Sequence, residues 1–192
     1  EVDGSIQKGE WKDGFLNGLA IVNETSTGRR YEGEFENGQP KNATMENPDG
    51  GRYEGEFKDG TPEGHGTADY ADGTRYEGQW KQGVKHGDGT LYNDDGRRCE
   101  SEWKNNLPNG QGTMYGPEGN REYEGGFKDG EFHGQGTIFD DGGGVFFQGE
   151  FENSEFTWDG KVVYFPDPLN PVGTAALYEN GIHILEKDVL RY

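Results

Sequence analysis

The chain has 192 residues, of which 29% are hydrophobic and 35 are glycine, and it carries a formal net charge of −19. That leaves too few aliphatic side chains to fill the thick core of a two-layer enzyme fold. The charge also argues against nucleic acid or an anionic membrane as partner, because phosphates would be repelled. Low hydrophobicity and high charge favour disorder in general, yet the 4 Trp, 10 Tyr and 11 Phe recur at fixed positions, so an ordered chain is expected. No run of 18 or more apolar residues and no charged-then-apolar start is present, so neither a membrane span nor a signal peptide is read. The expectation is an intracellular, cytoplasmic protein, with cytoskeletal, membrane-proximal or nuclear placement also compatible. Glu1 as the first residue points to a fragment or a processed form, and Cys99, the single cysteine, has no partner for an internal disulfide.

In chain order, one short unit repeats. Its leading position falls at Gln7, Tyr31, Tyr53, Tyr76, Cys99, Tyr123 and Phe147, at spacings of 24, 22, 23, 23, 24 and 24 residues. Seven copies therefore fill the chain to about residue 165, each too small to bury its apolar face without a neighbour. In the copy at Tyr53, residues 52–58 alternate with period two: Tyr53, Gly55 and Phe57 on one face, Arg52, Glu54, Glu56 and Lys58 on the other. Asp59-Gly60 signals a turn, and a second strand follows over Gly64–Tyr70. Asp72-Gly73 then passes the chain to the next copy.

The predicted fold is all-β: an elongated, twisted, single antiparallel sheet of repeated hairpins, on the order of 65 Å long for about fourteen strands. Residues 1–165 form the array and residues 166–192 a C-terminal cap. Twist is expected to make the aromatic face concave. Tyr53, Phe57, Tyr76, Trp80, Trp103, Tyr123 and Phe127 would then line a groove that binds a protein or peptide partner, an amphipathic helix fitting such a trough. Trp11, Trp80 and Trp103 are assigned both to the core ladder and to groove contact, the two not being exclusive. Terminal strands with unpaired backbone groups also favour pairing with a peptide or a second copy, giving a homodimer.

The pattern Tyr-x-Gly-x-Trp/Phe-x-x-Gly-x-x-x-Gly-x-Gly at residues 53–66, 76–89 and 123–136 resembles the MORN (membrane occupation and recognition nexus) repeat. The resemblance implies an extended antiparallel sheet used for assembly and partner binding. Gln7 and Cys99 depart from the leading aromatic, Ser101 from the first glycine, and Asn42 and Thr44 stand where paired glycines are expected, so repeats two and five should be irregular. The tail, with Lys161-Val162-Val163-Tyr164, Pro166, Thr174–Tyr178 and Gly181–Glu186, resembles the segment closing the MORN half of a SET-domain lysine methyltransferase. That resemblance implies an accessory module, since the catalytic domain's segments are absent from these residues.

No residue set points to catalysis, a metal or a cofactor. His86 and His133 share a repeat position but lie two repeats apart, roughly 20 Å, too far for one coordination sphere. Glu54, Glu56, Glu77, Glu124 and Glu150 read as a solvated ladder interleaved with Arg52, Arg75 and Arg98 and with Lys58, Lys81, Lys104 and Lys128. Docking of a basic partner there is the functional alternative. The Gly-x-Gly pairs at 64/66, 87/89, 110/112 and 134/136 lack a third glycine and a following helix, so they are strand residues rather than phosphate loops. The reading is a non-enzymatic interaction scaffold. Two alternatives are an accessory module of a larger enzyme and an anionic-lipid adaptor, the latter opposed by charge.

Overall fold

The computed structural model describes residues 5–156, 176–179 and 182–185, and every regular element among them is a strand. Seven hairpins follow one another: β1 (Ile6–Lys12) with β2 (Phe15–Asn23), β3 (Arg30–Glu36) with β4 (Gln39–Glu46), and β5 (Arg52–Lys58) with β6 (Thr61–Asp69). Next come β7 (Arg75–Lys81) with β8 (Val84–Tyr92), β9 (Arg98–Lys104) with β10 (Leu107–Tyr115), β11 (Arg121–Lys128) with β12 (Glu131–Phe139), and β13 (Val145–Glu152) with the short β14 (Glu155–Phe156). Strand order across this sheet is the chain order, as expected for consecutive hairpins. Further on, β15 (Ala176–Glu179) and β16 (Ile182–Leu185) pair antiparallel as a separate ribbon. Lys161–Pro166, and with it most of the expected cap and SET-type resemblance, lies outside the described residues.

The second strand begins earlier than expected, at Thr61 instead of Gly64, because the turn takes only two residues. Lys58 pairs with Thr61 across Asp59 and Gly60, whose φ angles of 51° and 75° are those of a type I′ turn. The contacts divide the chain into two compact units, residues 1–94 with 103–106 and residues 95–102 with 107–192.

In the first unit the core is a ladder of edge-to-face rings. Tyr31 meets Phe57 at 6.2 Å, Phe57 meets Tyr53 at 5.0 Å, Tyr53 meets Trp80 at 5.3 Å, Trp80 meets Tyr76 at 5.1 Å, and Tyr76 meets Trp103 at 5.3 Å. Each such pair contributes about 0.5–1.5 kcal/mol beyond its burial. The indole N–H of Trp80 donates to the Gly66 carbonyl and that of Trp103 to Gly89, so each ring is also pinned to the strand preceding its own repeat. In the second unit Tyr123, Phe127, Phe147 and Phe151 form the buried cluster, with Cys99, Met114, Phe132 and Ile138 packed against it.

What lets the rings lie flat is glycine. Gly55 pairs with Gly66, Gly78 with Gly89 and Gly125 with Gly136, and a methyl added to Gly66, Gly89 or Gly136 would overlap the ring of Tyr53, Tyr76 or Tyr123. Each of those tyrosines then donates its hydroxyl to the carbonyl three residues on, at Glu56 (2.9 Å), Gln79 (3.1 Å) and Gly126 (2.8 Å). These three residues are where the hairpin registers shift, so the hydroxyl satisfies a carbonyl displaced at the bulge. The bulge side chain works too: Glu56 accepts the His65 backbone N–H and Glu102 that of Gln111. Glu56 is therefore more than a member of a solvated ladder.

Repeats two and five were expected to be irregular; both form hairpins, and the pairing of repeat two does depart from that of the others. In repeat two Ala43, not Asn42 or Thr44, stands opposite Gly33, because the irregular pairing falls on the second strand between Pro40 and Asn42. In repeat five the Cys99 and Ser101 departures offset each other. With no ring over it, Ser101 has room for a side chain, and its Oγ lies 2.9 Å from the Glu102 carbonyl and 3.2 Å from that of Gln111. Its hydroxyl thus reaches the Glu102 carbonyl, the one equivalent to those that a tyrosine hydroxyl serves at Glu56, Gln79 and Gly126.

Two outcomes are expected. Tyr76→Ala should cost about 3–5 kcal/mol in urea unfolding, while Tyr76→Phe, which keeps the ring, should cost about 1 kcal/mol. Cys99→Tyr and Ser101→Gly should each destabilise by about 1–3 kcal/mol through crowding or a lost hydrogen bond. The double variant should cost less than the sum, with a coupling of at least about 0.5 kcal/mol; additive losses would disprove the exchange of ring for hydroxyl.

Candidate interaction surface

The seven rings expected to line a groove are core residues. Exposure is 3% at Tyr53, 7% at Phe57, 0% at Tyr76, 7% at Trp80, 3% at Trp103, 1% at Tyr123 and 6% at Phe127. The expectation of seven presented aromatic anchors is corrected accordingly: the rings are spent on one another and on a row of residues above them. Trp11, by contrast, is 54% exposed.

That covering row was not read from the sequence. It includes Leu16, Pro40, Pro62, Lys85 and Phe132, paired respectively with Trp11, Phe35, Phe57, Trp80 and Phe127. Phe132 shows its role most directly, stacked on Tyr123 at 3.7 Å with planes 7° apart. The row also ties repeats together. Gly38 donates its N–H to the Leu16 carbonyl, Gly83 to Pro62, Asn106 to Lys85 and Ser154 to Phe132, so these turns are clamped to the preceding repeat. A residue five places after the second aromatic was the available signal, but Pro, Lys, Phe and Leu share no chemistry that marks them as one class.

Lys85 is the polar member. Its ammonium lies 5.3, 5.4 and 5.2 Å from the ring centroids of Tyr70, Tyr76 and Trp103, which is cation–π distance. Desolvation there pushes its pKa below the usual lysine value, with Asp72 opposing the shift. Beside Lys85, which stands where the other repeats of the first unit have leucine or proline, lies a trough of about 520 Å³. Tyr53 and Trp80 form part of its wall, Pro62 and Lys85 its side, and Tyr70, Asp72 and Asp49 its rim. Tyr70 is 37% exposed, so one aromatic is presented to solvent. The carboxylate of Asp72 accepts from both the N–H and the hydroxyl of Thr74, and these bonds hold its pKa below the usual range.

On the opposite face the ion pairs run mainly along single strands: Arg30 with Glu32, Arg52 with Glu54, Arg75 with Glu77 and Arg98 with Glu100. Arg75 with Asp69 and Arg30 with Glu46 cross between strands as expected. All of these groups are well hydrated, so each pair is worth little.

His86 and His133 are half-buried, and neither Nδ1 has a hydrogen-bond partner among the described residues. No three metal-ligating side chains come together among those residues. Burial pushes the Cys99 thiol up to about 11, which makes it a poor nucleophile. No described helix is long and apolar enough to cross a membrane.

No curated protein matches the chain. A family model does, at residues 8–21, 31–41, 53–75, 76–97, 99–121 and 123–144. These segments cover more than half of the sequence and coincide with the hairpins of the first six repeats, so the chain belongs to the MORN-repeat family.

Proposed function

We propose that the chain is a non-catalytic interaction scaffold, and that the trough of its first unit receives a protein segment with apolar and basic side chains. The trough carries this reading. There Tyr70, 37% exposed, stands beside walls to which Tyr53 and Trp80 contribute. Its rim bears Asp49 and Asp72; at its margin Asp69 is already paired with Arg75, and one of the two cations, Arg52, with Glu54. A net charge of −19 adds a long-range preference for a basic partner. An amphipathic helix supplies apolar side chains for the wall and lysines for the rim.

A basic amphipathic peptide of leucine and lysine is the probe. Backbone amide shifts on titration should concentrate at residues 70–74 and 83–85. Tyr70→Ala and Asp72→Asn should each weaken binding by roughly tenfold, with the urea midpoint of each variant checking that the loss is not one of folding. Unaltered binding by these variants, together with loss of binding in Glu54→Gln/Glu77→Gln, would move the site to the opposite face.

A further inference from the structure

Two departures from the repeat meet at one point of the first unit. Turns between hairpins begin at Asn47, Tyr70, Gly116 and Asp140, each donating its N–H to the carbonyl four residues on, and Tyr70 is the aromatic member of that set. In the covering row Lys85 stands where the other repeats of this unit have Leu16, Pro40 and Pro62. These two side chains come together: the Lys85 ammonium lies over the ring of Tyr70 at 5.3 Å, and also over those of Tyr76 at 5.4 Å and Trp103 at 5.2 Å. Tyr76 and Trp103 stand with their planes 78° apart, so one cation is enclosed from several directions.

The enclosure suits its occupant poorly. Asp72 acts on the Lys85 ammonium by charge alone, without a side-chain hydrogen bond, and desolvation pushes the lysine below its usual pKa. A primary ammonium carries three N–H donors, and burying donors without acceptors is unfavourable. The leucine and prolines of the other repeats cover rings without that penalty. The distances fit a larger cation. A methyl carbon between nitrogen and ring adds a C–N bond of about 1.5 Å to a carbon–carbon contact of about 3.5–4.0 Å, which places the nitrogen about 5.0–5.5 Å from the ring. The Lys85 nitrogen stands at that range from all three rings. A trimethylated ammonium keeps its charge and has no N–H to satisfy, and aromatic cages recognise such groups. Tyr70 and Lys85 both border the trough of about 520 Å³, so a ligand side chain lying in the trough reaches the cage from there. Asp72, held by the N–H and hydroxyl of Thr74, places a carboxylate at the entrance.

We propose that Tyr70, Tyr76 and Trp103, with Asp72 at the rim, form a recognition cage for a trimethylated lysine side chain of a protein partner, and that Lys85 is its built-in competitor, which swings into water when the ligand enters. This rests on the trough being a docking surface and specifies its cationic anchor. Nα-acetyl-trimethyllysine amide is the probe, followed by NMR on the 192-residue chain. Its N-methyl protons should shift upfield and show cross-relaxation to the rings of Tyr70 and Trp103, while the Lys85 ε-methylene protons move from ring-shifted to solvated values. Lys85→Ala, which removes the competitor, should tighten binding by roughly tenfold or more, and adding Tyr70→Ala should abolish that gain. The unmethylated lysine derivative should bind roughly fivefold or more weakly. Far-UV circular dichroism checks that each variant stays folded, and the Lys85 shift in the parent needs no variant. Lys85 protons unmoved by the probe up to roughly 10 mM, Lys85→Ala binding no tighter than the parent, indifference to Tyr70→Ala, or equal binding of a neutral tert-butyl analogue would each overturn the proposal. The leucine–lysine peptide separates this proposal from the reading it rests on. Cage occupation by the probe in a chain that does not bind the peptide supports the cage and strikes the amphipathic segment, whereas peptide binding with Lys85 unmoved by the probe strikes the cage.

Discussion

A tyrosine ring can lie flat against its own sheet only where the residues beneath it have no side chains. Paired glycines provide that clearance at Gly55/Gly66, Gly78/Gly89 and Gly125/Gly136. The ring so placed does three things at once. It buries itself, presents its edge to the ring of the next repeat, and delivers its hydroxyl to the carbonyl displaced by the bulge. The conformational cost of glycine in a strand is thus offset where the ring settles. A single row of rings can serve as the core of a protein with so few aliphatic residues because each ring contacts both its own repeat and a neighbour.

Repeat five shows that the requirement is for filled space and a satisfied carbonyl, not for tyrosine as such. Cys99 withdraws the ring and Ser101 returns a hydroxyl to the bulge carbonyl at 2.9 Å. Either change alone would leave an unpartnered carbonyl or a collision, so the two positions read as one substitution. The remaining cohesion is local as well. Turns hydrogen-bond to the covering row of the preceding repeat, and within each unit stability is a sum of neighbouring interfaces, as in other repeat arrays.

Because the rings at the two aromatic positions of most repeats are buried against one another, departures from the repeat pattern mark the places with capacity for partners. Lys85 replaces an apolar cover and leaves a trough beside Tyr70. Trp11 has the side chain of an internal repeat, is 54% exposed, and has no strand on its outer side among the described residues. Both are exceptions to periodicity, and periodicity supplies the scale against which they stand out.

Spacing and alternation by themselves determined the hairpins, their succession and the inward face, because a period-two pattern punctuated by Asp-Gly turns admits little else. Tyr53, Tyr76 and Tyr123 were legible as members of one row. Whether that row faced a partner or itself was not legible, since burial depends on how closely successive hairpins approach and on what lies above them. Only the tertiary structure decided that Pro62, Lys85 and Phe132 cover the rings. It also decided that Asn42 is not the partner of Gly33, because a one-residue shift in pairing exchanges the faces of a strand. The exposure of Trp11 belongs to the same class, for a side chain equivalent in sequence to Trp80 has no strand on its outer side among the described residues.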